Sequence, residues 1–200
     1  RVLTEDRGEV DVVIVREGWP SKPAIRPNPS KCSGPGGAAG EPHLTSMDGL
    51  RYSAQVVGEY DLLLPNDPGG EGPHLQGRFE VNPSPDSLFL RPTSVTGISL
   101  TEAGHTVEIY ATRSGSSHSL YIDGQGMPGT IPFSQEVGEE GQILVTRDSG
   151  STFTVRTPSV TLWVSIRGGI IGLSTYTNQD PSLHGLLGVP DGDQANDLVS

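Results

Sequence analysis

The sequence predicts an all-β fold, an antiparallel β-sandwich-like domain, on three observations. Apolar and polar residues alternate in short runs, as where Leu50, Tyr52, Ala54 and Val56 are separated by polar side chains, and this period of two is typical of strands with one buried face. The 200 residues include 27 glycines and 17 prolines, about twice the average share of these turn-forming residues. Apolar residues at helical spacing do not extend beyond about two turns, which excludes a helix bundle or a coiled coil.

Turn residues divide the alternating runs into short strands at regular spacing, which is typical of a sandwich or a barrel. The alternation changes at Val57–Gly58, which indicates a bulge, and Asp148-Ser149-Gly150 is typical of a hairpin turn. The predicted strands cover residues 9–17, 50–56, 60–64, 75–81, 87–91, 94–100, 106–113, 119–123, 142–147, 151–157 and 160–166.

Two further local predictions concern the second half of the chain. A short helix at 181–188 is the one helical candidate, and Gly185 and Gly188 disfavour it. Trp163 lies between two apolar residues in a predicted strand, so we expect it in the core or half-buried.

Residues 18–40 contain five prolines, with a cluster of glycines near their end. Because proline lacks a ladder donor and glycine loosens the backbone, we interpret this stretch as a linker and place a domain boundary near residue 39. Residues 1–39 are then an N-terminal strand and a Pro/Gly-rich linker, and residues 40–200 are the main domain. Residues 1–17 either end a preceding domain or add a strand to the main sheet, and both interpretations stay open.

Charge and cysteine content exclude several classes of function. The formal net charge is −11 and the pI is near 4.7, so the chain lacks the basic footprint of a nucleic-acid or anionic-membrane binder. Its apolar runs fall far short of the roughly 20 residues of a membrane helix, so we expect no membrane insertion. The single cysteine, Cys32, lies in the linker and excludes an internal disulfide and a Cys-rich zinc site.

One short loop near the C-terminus offers a dense set of candidate oxygen ligands, namely Asp191, Asp193, Asn196 and Asp197. Ca²⁺ takes about six to eight oxygen ligands, whereas Mg²⁺ prefers a strict octahedron with few protein ligands. The loop is not an EF-hand, since Ala195 occupies the fifth ligand position and Asn196 the place of the required glycine. On these residues alone, a calcium loop with further ligands from elsewhere and a solvated acidic turn both stay open.

Two motifs stand at opposite ends of the main domain. Residues 40–52 read Gly-Glu-Pro-His-Leu-Thr-Ser-Met-Asp-Gly-Leu-Arg-Tyr and precede Gly-Glu-Tyr at 58–60, and residues 185–198 read Gly-Leu-Leu-Gly-Val-Pro-Asp-Gly-Asp-Gln-Ala-Asn-Asp-Leu. Together they resemble the opening and closing motifs of the von Willebrand factor type D domain, in particular its cysteine-poor microbial members. The resemblance covers residues 40–200 and leaves residues 1–39 unexplained.

The resemblance implies a β-sandwich-like fold in which the first and last motifs meet at one Ca²⁺ ion. Val189 stands where the family has an Asn ligand, and a water or the Asp193 carboxylate could fill that place. Because crowded carboxylates repel one another and Ca²⁺ removes this penalty, we expect a mainly structural ion. The implied ligands are Asp48, Asp191, the main-chain carbonyl of Asp193, Asn196 and Asp197.

The opening motif departs from the family at Glu41, since some relatives carry Asp there and cleave themselves before the proline. The extra methylene of Glu41 disfavours that cyclisation, so we expect an intact chain. His43 is then expected to be packed or hydrogen-bonded, without a catalytic role.

The resemblance implies an interaction or assembly domain of a larger secreted or cell-surface protein, without catalysis. Its partner would be another protein or other domains of the parent chain, and the oligomeric state is not determined by the sequence. The sequence lacks the common nucleophile-elbow, phosphate-loop and zinc-protease motifs. The alternative is a calcium-dependent carbohydrate-binding or carbohydrate-acting module, which needs an exposed aromatic strip or a second acidic cluster facing a pocket.

Overall fold

Sixteen β-strands make up the regular structure of the computed structural model, which describes residues 13–15, 36–40, 42–65, 72–81, 92–112, 117–138, 142–177, 183–191, 193–195 and 197. These residues contain no helix, so the predicted all-β class is confirmed, and none of them could form a membrane-spanning helix. The strands are β1 (Val13–Val15), β2 (Gly36–Ala39), β3 (His43–Thr45), β4 (Arg51–Gln55), β5 (Gly58–Pro65), β6 (His74–Val81), β7 (Thr93–Glu102), β8 (His105–Ala111), β9 (His118–Ile122), β10 (Gln125–Gly126), β11 (Phe133–Val137), β12 (Ile143–Ser149), β13 (Thr152–Arg156), β14 (Val160–Arg167), β15 (Ile170–Thr177) and β16 (Leu183–His184).

The strands form two antiparallel sheets. The larger sheet has the order β1-β4-β3-β2-β15-β14-β13-β12-β11, and the smaller sheet has the order β10-β9-β8-β7-β6-β5-β16. Most neighbours in each sheet are consecutive hairpins, whereas β15 pairs with β2 and β16 with β5. These two long-range pairings carry the C-terminal part of the chain back to the beginning of the main domain.

The core lies between the two sheets, and strand β14 illustrates its pattern. Val160, Leu162, Val164 and Ile166 are each no more than 2 % exposed, and each such aliphatic side chain contributes about 1.5–3 kcal/mol on burial. Successive side chains of a strand point to opposite faces, so Trp163 lies outside and is 44 % exposed. The expectation that Trp163 is in the core or half-buried is therefore wrong.

Residues 36–39 form strand β2 in the larger sheet, although the sequence assigns them to the linker. A Cβ at Gly37 would lie 2.5 Å from the carbonyl oxygen of Leu173. The glycine here allows close approach to β15 and does not loosen the chain. Residues 13–15 pair with β4, so this part of the N-terminal segment adds a strand to the main sheet.

Several local predictions are corrected or extended by the structure. Residues 183–184 are strand β16 and residues 185–188 are turn and coil, so the described part of the candidate helix is not helical. Residues 56–57 separate β4 from β5, which begins at Gly58 with φ +127°. The bulge predicted at Val57–Gly58 is therefore wrong, and the bulge in β5 lies between Asp61 and Leu63. A turn at residues 150–151 connects β12, which ends at Ser149, to β13, so the turn predicted at 148–150 is present but begins later. The predicted strand at 87–91 lies outside the described residues.

Candidate functional site

The opening motif forms a tight turn at residues 46–50. The Ser46 backbone N–H donates to the Leu50 carbonyl at 2.8 Å, and the Leu50 N–H donates to Ser46 Oγ at 2.9 Å. Gly49 has φ +84°, a conformation that glycine adopts without a steric cost. Asp48 lies in this turn and is 8 % exposed.

The C-terminal loop is fixed to this turn by backbone hydrogen bonds. The Met47 N–H donates to the Leu187 carbonyl at 2.8 Å, and the Leu187 N–H donates to the Leu62 carbonyl at 3.0 Å. The Tyr52 hydroxyl donates to the Leu186 carbonyl. Met47 and Leu187 are both fully buried, so the loop is anchored in the core on one side and reaches the surface on the other.

Gln194 makes a further link between the loop and the turn. Its side-chain Nε2 donates to the main-chain carbonyl of Asp48 at 2.6 Å. The backbones of Asp48 and of the acidic loop are therefore held next to each other, as the resemblance implies.

Asp197 is the one carboxylate of the loop that is buried, at 4 % exposure. Its Oδ2 accepts a hydrogen bond from Ser46 Oγ at 2.5 Å, and its Oδ1 accepts one from the Val189 N–H at 3.1 Å. A Cβ at Gly188 would lie 2.1 Å from Asp197 Oδ1. Glycine at position 188 is thus required for the Asp197 carboxylate to occupy this place.

The environment of Asp197 disfavours its charged form. Burial raises its pKa above the usual range for Asp, the negative charges of Asp191 and Asp193 raise it further, and the bonds from Ser46 and Val189 oppose this. Among the described residues, no Lys, Arg or His forms an ion pair with Asp197. A buried carboxylate with acidic neighbours and no basic partner in this part of the chain is a place where a cation would be stabilising.

Asp191 and Asp193 lie on the exposed side of the loop. Asp191 Oδ1 accepts a hydrogen bond from the Asp193 N–H at 2.8 Å, and Asp193 Oδ1 accepts one from the Ala195 N–H at 3.1 Å. Two consecutive turns of this kind, each closed by an Asp side chain on the backbone two residues on, keep the loop compact.

The structure thus brings Asp48, Asp191, Asp193 and Asp197 into one region, and Asn196 lies outside the described residues. Within the described ranges, no three or more His, Cys, Asp or Glu side chains are grouped so that they could hold a metal ion. The donor set fits a hard cation in its chemistry, since a carboxylate oxygen that accepts an N–H has a second lone pair for a ligand. The calcium ligand set remains a prediction.

Three contributions to the site were missed by sequence reasoning, namely the Ser46 hydroxyl, the Gln194 amide and the Val189 N–H. Ser46 lies two residues before Asp48, and Gln194 lies between two predicted ligands. Their closeness in sequence to these ligands is the one feature from which their part in the site could have been predicted. Val189 lacks a side-chain oxygen but donates its backbone N–H to Asp197. Position 189 therefore contributes to the site through its backbone, although Val189 has no side-chain oxygen to offer a metal ion.

Other site predictions concern the opening motif. His43 Nδ1 lies 3.0 Å from Ser53 Oγ, so the prediction that His43 is hydrogen-bonded is confirmed. Glu41 and Cys32 lie outside the described residues, and the expectation of an uncleaved chain stays a prediction.

A scan against protein-family models and a search of curated proteins found no match to this chain. The resemblance to the type D family therefore rests on the two motifs quoted above.

Proposed function

We propose that the chain is a calcium-binding interaction or assembly domain of a larger secreted or cell-surface protein, similar to von Willebrand factor type D domains. The observation that carries the proposal is the buried Asp197 carboxylate, which joins the turn at 46–50 to the C-terminal loop while two further aspartates lie beside it. A cation at this place would offset the cost of burying the charge. Its binding free energy would add to the free energy of folding.

The residues that would hold the ion are Asp48, Asp191, the Asp193 carbonyl, Asn196 and Asp197. When bound, Ca²⁺ supplies positive charge and a preference for several oxygen ligands. The chain's own contribution is to hold these oxygens at the junction of two distant segments, through Met47, Leu187 and Gln194. The ion's role in this proposal is structural, because it links residues that the unfolded chain keeps far apart.

A role in binding is favoured over glycoside hydrolysis by the lining of a cleft of about 910 Å³ between the two sheets. Enzymes that cleave glycosides use two carboxyl groups on opposite sides of the scissile bond. Among the described residues that line this cleft, Glu102 is the one carboxylate. We therefore propose no catalytic activity for the domain.

Calorimetric titration of the full chain with CaCl₂, after removal of divalent ions, tests the proposal. We expect saturable binding of one ion and its loss in Asp197→Asn. Glu136→Gln is the matched control, because Glu136 is an exposed carboxylate on β11 and its removal should leave the titration unchanged. A wild-type chain that binds no Ca²⁺, or Asp197→Asn binding as well as wild type, would contradict the proposal.

A second candidate function, carbohydrate binding, is favoured by one specific observation. Trp163 on β14 and Tyr176 on β15 are 44 % and 41 % exposed. Trp163 pairs with Ser174 and Tyr176 pairs with Thr161, so the two rings lie on the same outer face as diagonal neighbours. Calorimetry with cello- and malto-oligosaccharides should then give binding that Trp163→Ala abolishes and Tyr110→Ala, on the other sheet, retains. A wild-type chain that binds neither kind of oligosaccharide would exclude carbohydrate binding at this face.

A further inference from the structure

A cleft of about 910 Å³ lies at one end of the sandwich, where β5 and β7 end. It is lined from the smaller sheet by the end of β5, the start of β6 and the turn between β7 and β8, and from the larger sheet by Gln142 and the turn between β13 and β14. Its volume is within the range of small-molecule sites, which measure about 300–1,000 Å³. The lining residues used below are Leu64, Pro65, His74, Glu102, Gln142 and Pro158.

Glu102 is the last residue of β7 and points toward the interior. Ile98 and Leu100, at two-residue spacing on the same strand, are 3 % and 1 % exposed, and the period of two places Glu102 on the same inner face. The hydrophobic core therefore ends at a carboxylate, at the point where the cleft begins. Glu102 itself is 4 % exposed.

The Glu102 carboxylate is not compensated by the part of the chain that the structure describes. Its Oε2 is buried and has no hydrogen-bond partner among these residues. Its cross-strand neighbour His105 uses Nδ1 for Asp123 Oδ2, at 2.8 Å, and His74 uses Nε2 for Asp61 Oδ1, at 2.7 Å. The described lining of the cleft contains no Lys or Arg. A buried charge without a partner is costly, so this position favours a positive ligand.

The remaining lining indicates which kind of cation fits. Metal ions usually take several carboxylate or imidazole ligands, whereas the described lining of the cleft offers one carboxylate, Glu102, and one imidazole, His74, which is bonded to Asp61. A primary ammonium is a compact charge with three donors. Gln142 supplies an amide oxygen, and Leu64, Pro65 and Pro158 supply an apolar wall for an alkyl stem. This combination matches an amine at the end of an aliphatic chain.

We propose that the cleft at the end of the sandwich binds an alkylammonium group, either a small free amine or a lysine side chain of a protein partner, with Glu102 as its counter-charge. The ammonium would replace the water that the carboxylate loses on folding. The apolar stem would bury surface against the cleft wall. None of the described candidate ligands for calcium is among the residues that line this cleft.

The test compares hexylamine with hexan-1-ol by calorimetry on the full chain. We expect the amine to bind at least tenfold more tightly than the alcohol, because the two share a stem and differ in charge. Glu102→Gln should remove this preference, whereas Glu136→Gln should retain it. The comparison of the two probes on the wild-type chain stands even where Glu102→Gln does not fold.

A second pair of probes separates the two sources of the amine. An acetyl-Gly-Lys-Gly-amide peptide is compared with the same peptide carrying norleucine. Lysine-dependent binding supports a protein partner, and binding of hexylamine without the peptide supports a small free amine. The proposal is overturned if wild type binds amine and alcohol equally or binds neither, or if folded Glu102→Gln keeps the preference for the amine.

Discussion

Ser46 Oγ and Asp197 Oδ2 are hydrogen-bonded at 2.5 Å, although the two residues are 151 positions apart in the chain. Both side chains are buried, at 0 % and 4 % exposure. This bond joins the turn at 46–50 to the last residue that the structure describes. The two segments are also joined by the hydrogen bond from the Met47 N–H to the Leu187 carbonyl.

Replacing Ser46 by alanine should destabilise the fold. The variant loses the donor to Asp197 and the acceptor for the Leu50 N–H, and each unsatisfied buried group costs about 1–3 kcal/mol. Urea denaturation should show a lower midpoint for Ser46→Ala. Ser134→Ala, an exposed position on β11, should stay within about 0.5 kcal/mol of wild type. Equal midpoints for the two variants would show that the Ser46–Asp197 bond contributes little.

Gly188→Ala tests whether the place of Asp197 depends on the absence of a side chain at position 188. Gly188 and Gly104 share φ +78°, but a Cβ at Gly188 would lie 2.1 Å from Asp197 Oδ1, whereas a Cβ at Gly104 has no atom within 4 Å. Both alanine variants incur the left-handed backbone cost of about 1–2 kcal/mol. We expect Gly188→Ala to lose clearly more than Gly104→Ala in thermal denaturation. Similar losses would argue against the described packing of Asp197 on Gly188.

Calcium removal should mimic the loss of a ligand. We expect EDTA to lower the melting temperature of the wild-type chain, because a ligand that binds the folded state stabilises it by mass action. Asp191→Ala in CaCl₂ should lower it by a similar amount and should respond little to EDTA. Differential scanning calorimetry of both proteins with and without EDTA measures this. An EDTA-insensitive wild type would contradict a structural calcium ion.

The pH dependence of the Asp123 turn provides a test away from both sites. The Thr106 N–H, at 2.8 Å, and then His105 lower the pKa of Asp123 below its ordinary value of 3.8. Since the folded-state pKa is the lower one, the stabilisation is present above pH 3.8 and is lost as the pH falls through the folded-state pKa. The difference in unfolding free energy between the wild type and Asp123→Asn should therefore shrink as the pH falls below 3.8. A difference that is constant with pH would contradict the lowered pKa.

The alternation of apolar and polar residues located β5 to β9 and β12 to β14 to within about two residues at each end. In most of them, as in β14, buried residues alternate with less buried ones. The alternation did not locate β15, in which Thr175 and Thr177 are buried at 0 % and 3 % exposure. Polar residues on the inner face remove the hydropathy signal that a strand prediction uses. The strands β3, β10 and β16 have two or three residues each, too few for a pattern.

Part of the candidate site was predicted from short sequence motifs and not from strand periodicity. The motifs at 40–52 and 185–198 identified the two segments that meet, and the aspartates named from them do lie in that region. Ser46 and Gln194 were missed because their roles depend on which atoms of a distant segment face them. Spacing along the chain contains no information about such contacts.

The sequence by itself determined the fold class and the two segments that meet, since strand periodicity and short motifs are local properties of the chain. The tertiary structure alone decided that Gly36–Ala39 lie inside a sheet, that Trp163 faces outward, and that Asp197 and Glu102 are buried. These outcomes depend on which strand packs beside which. Burial and pairing arise from contacts between residues far apart in sequence, so no local pattern specifies them.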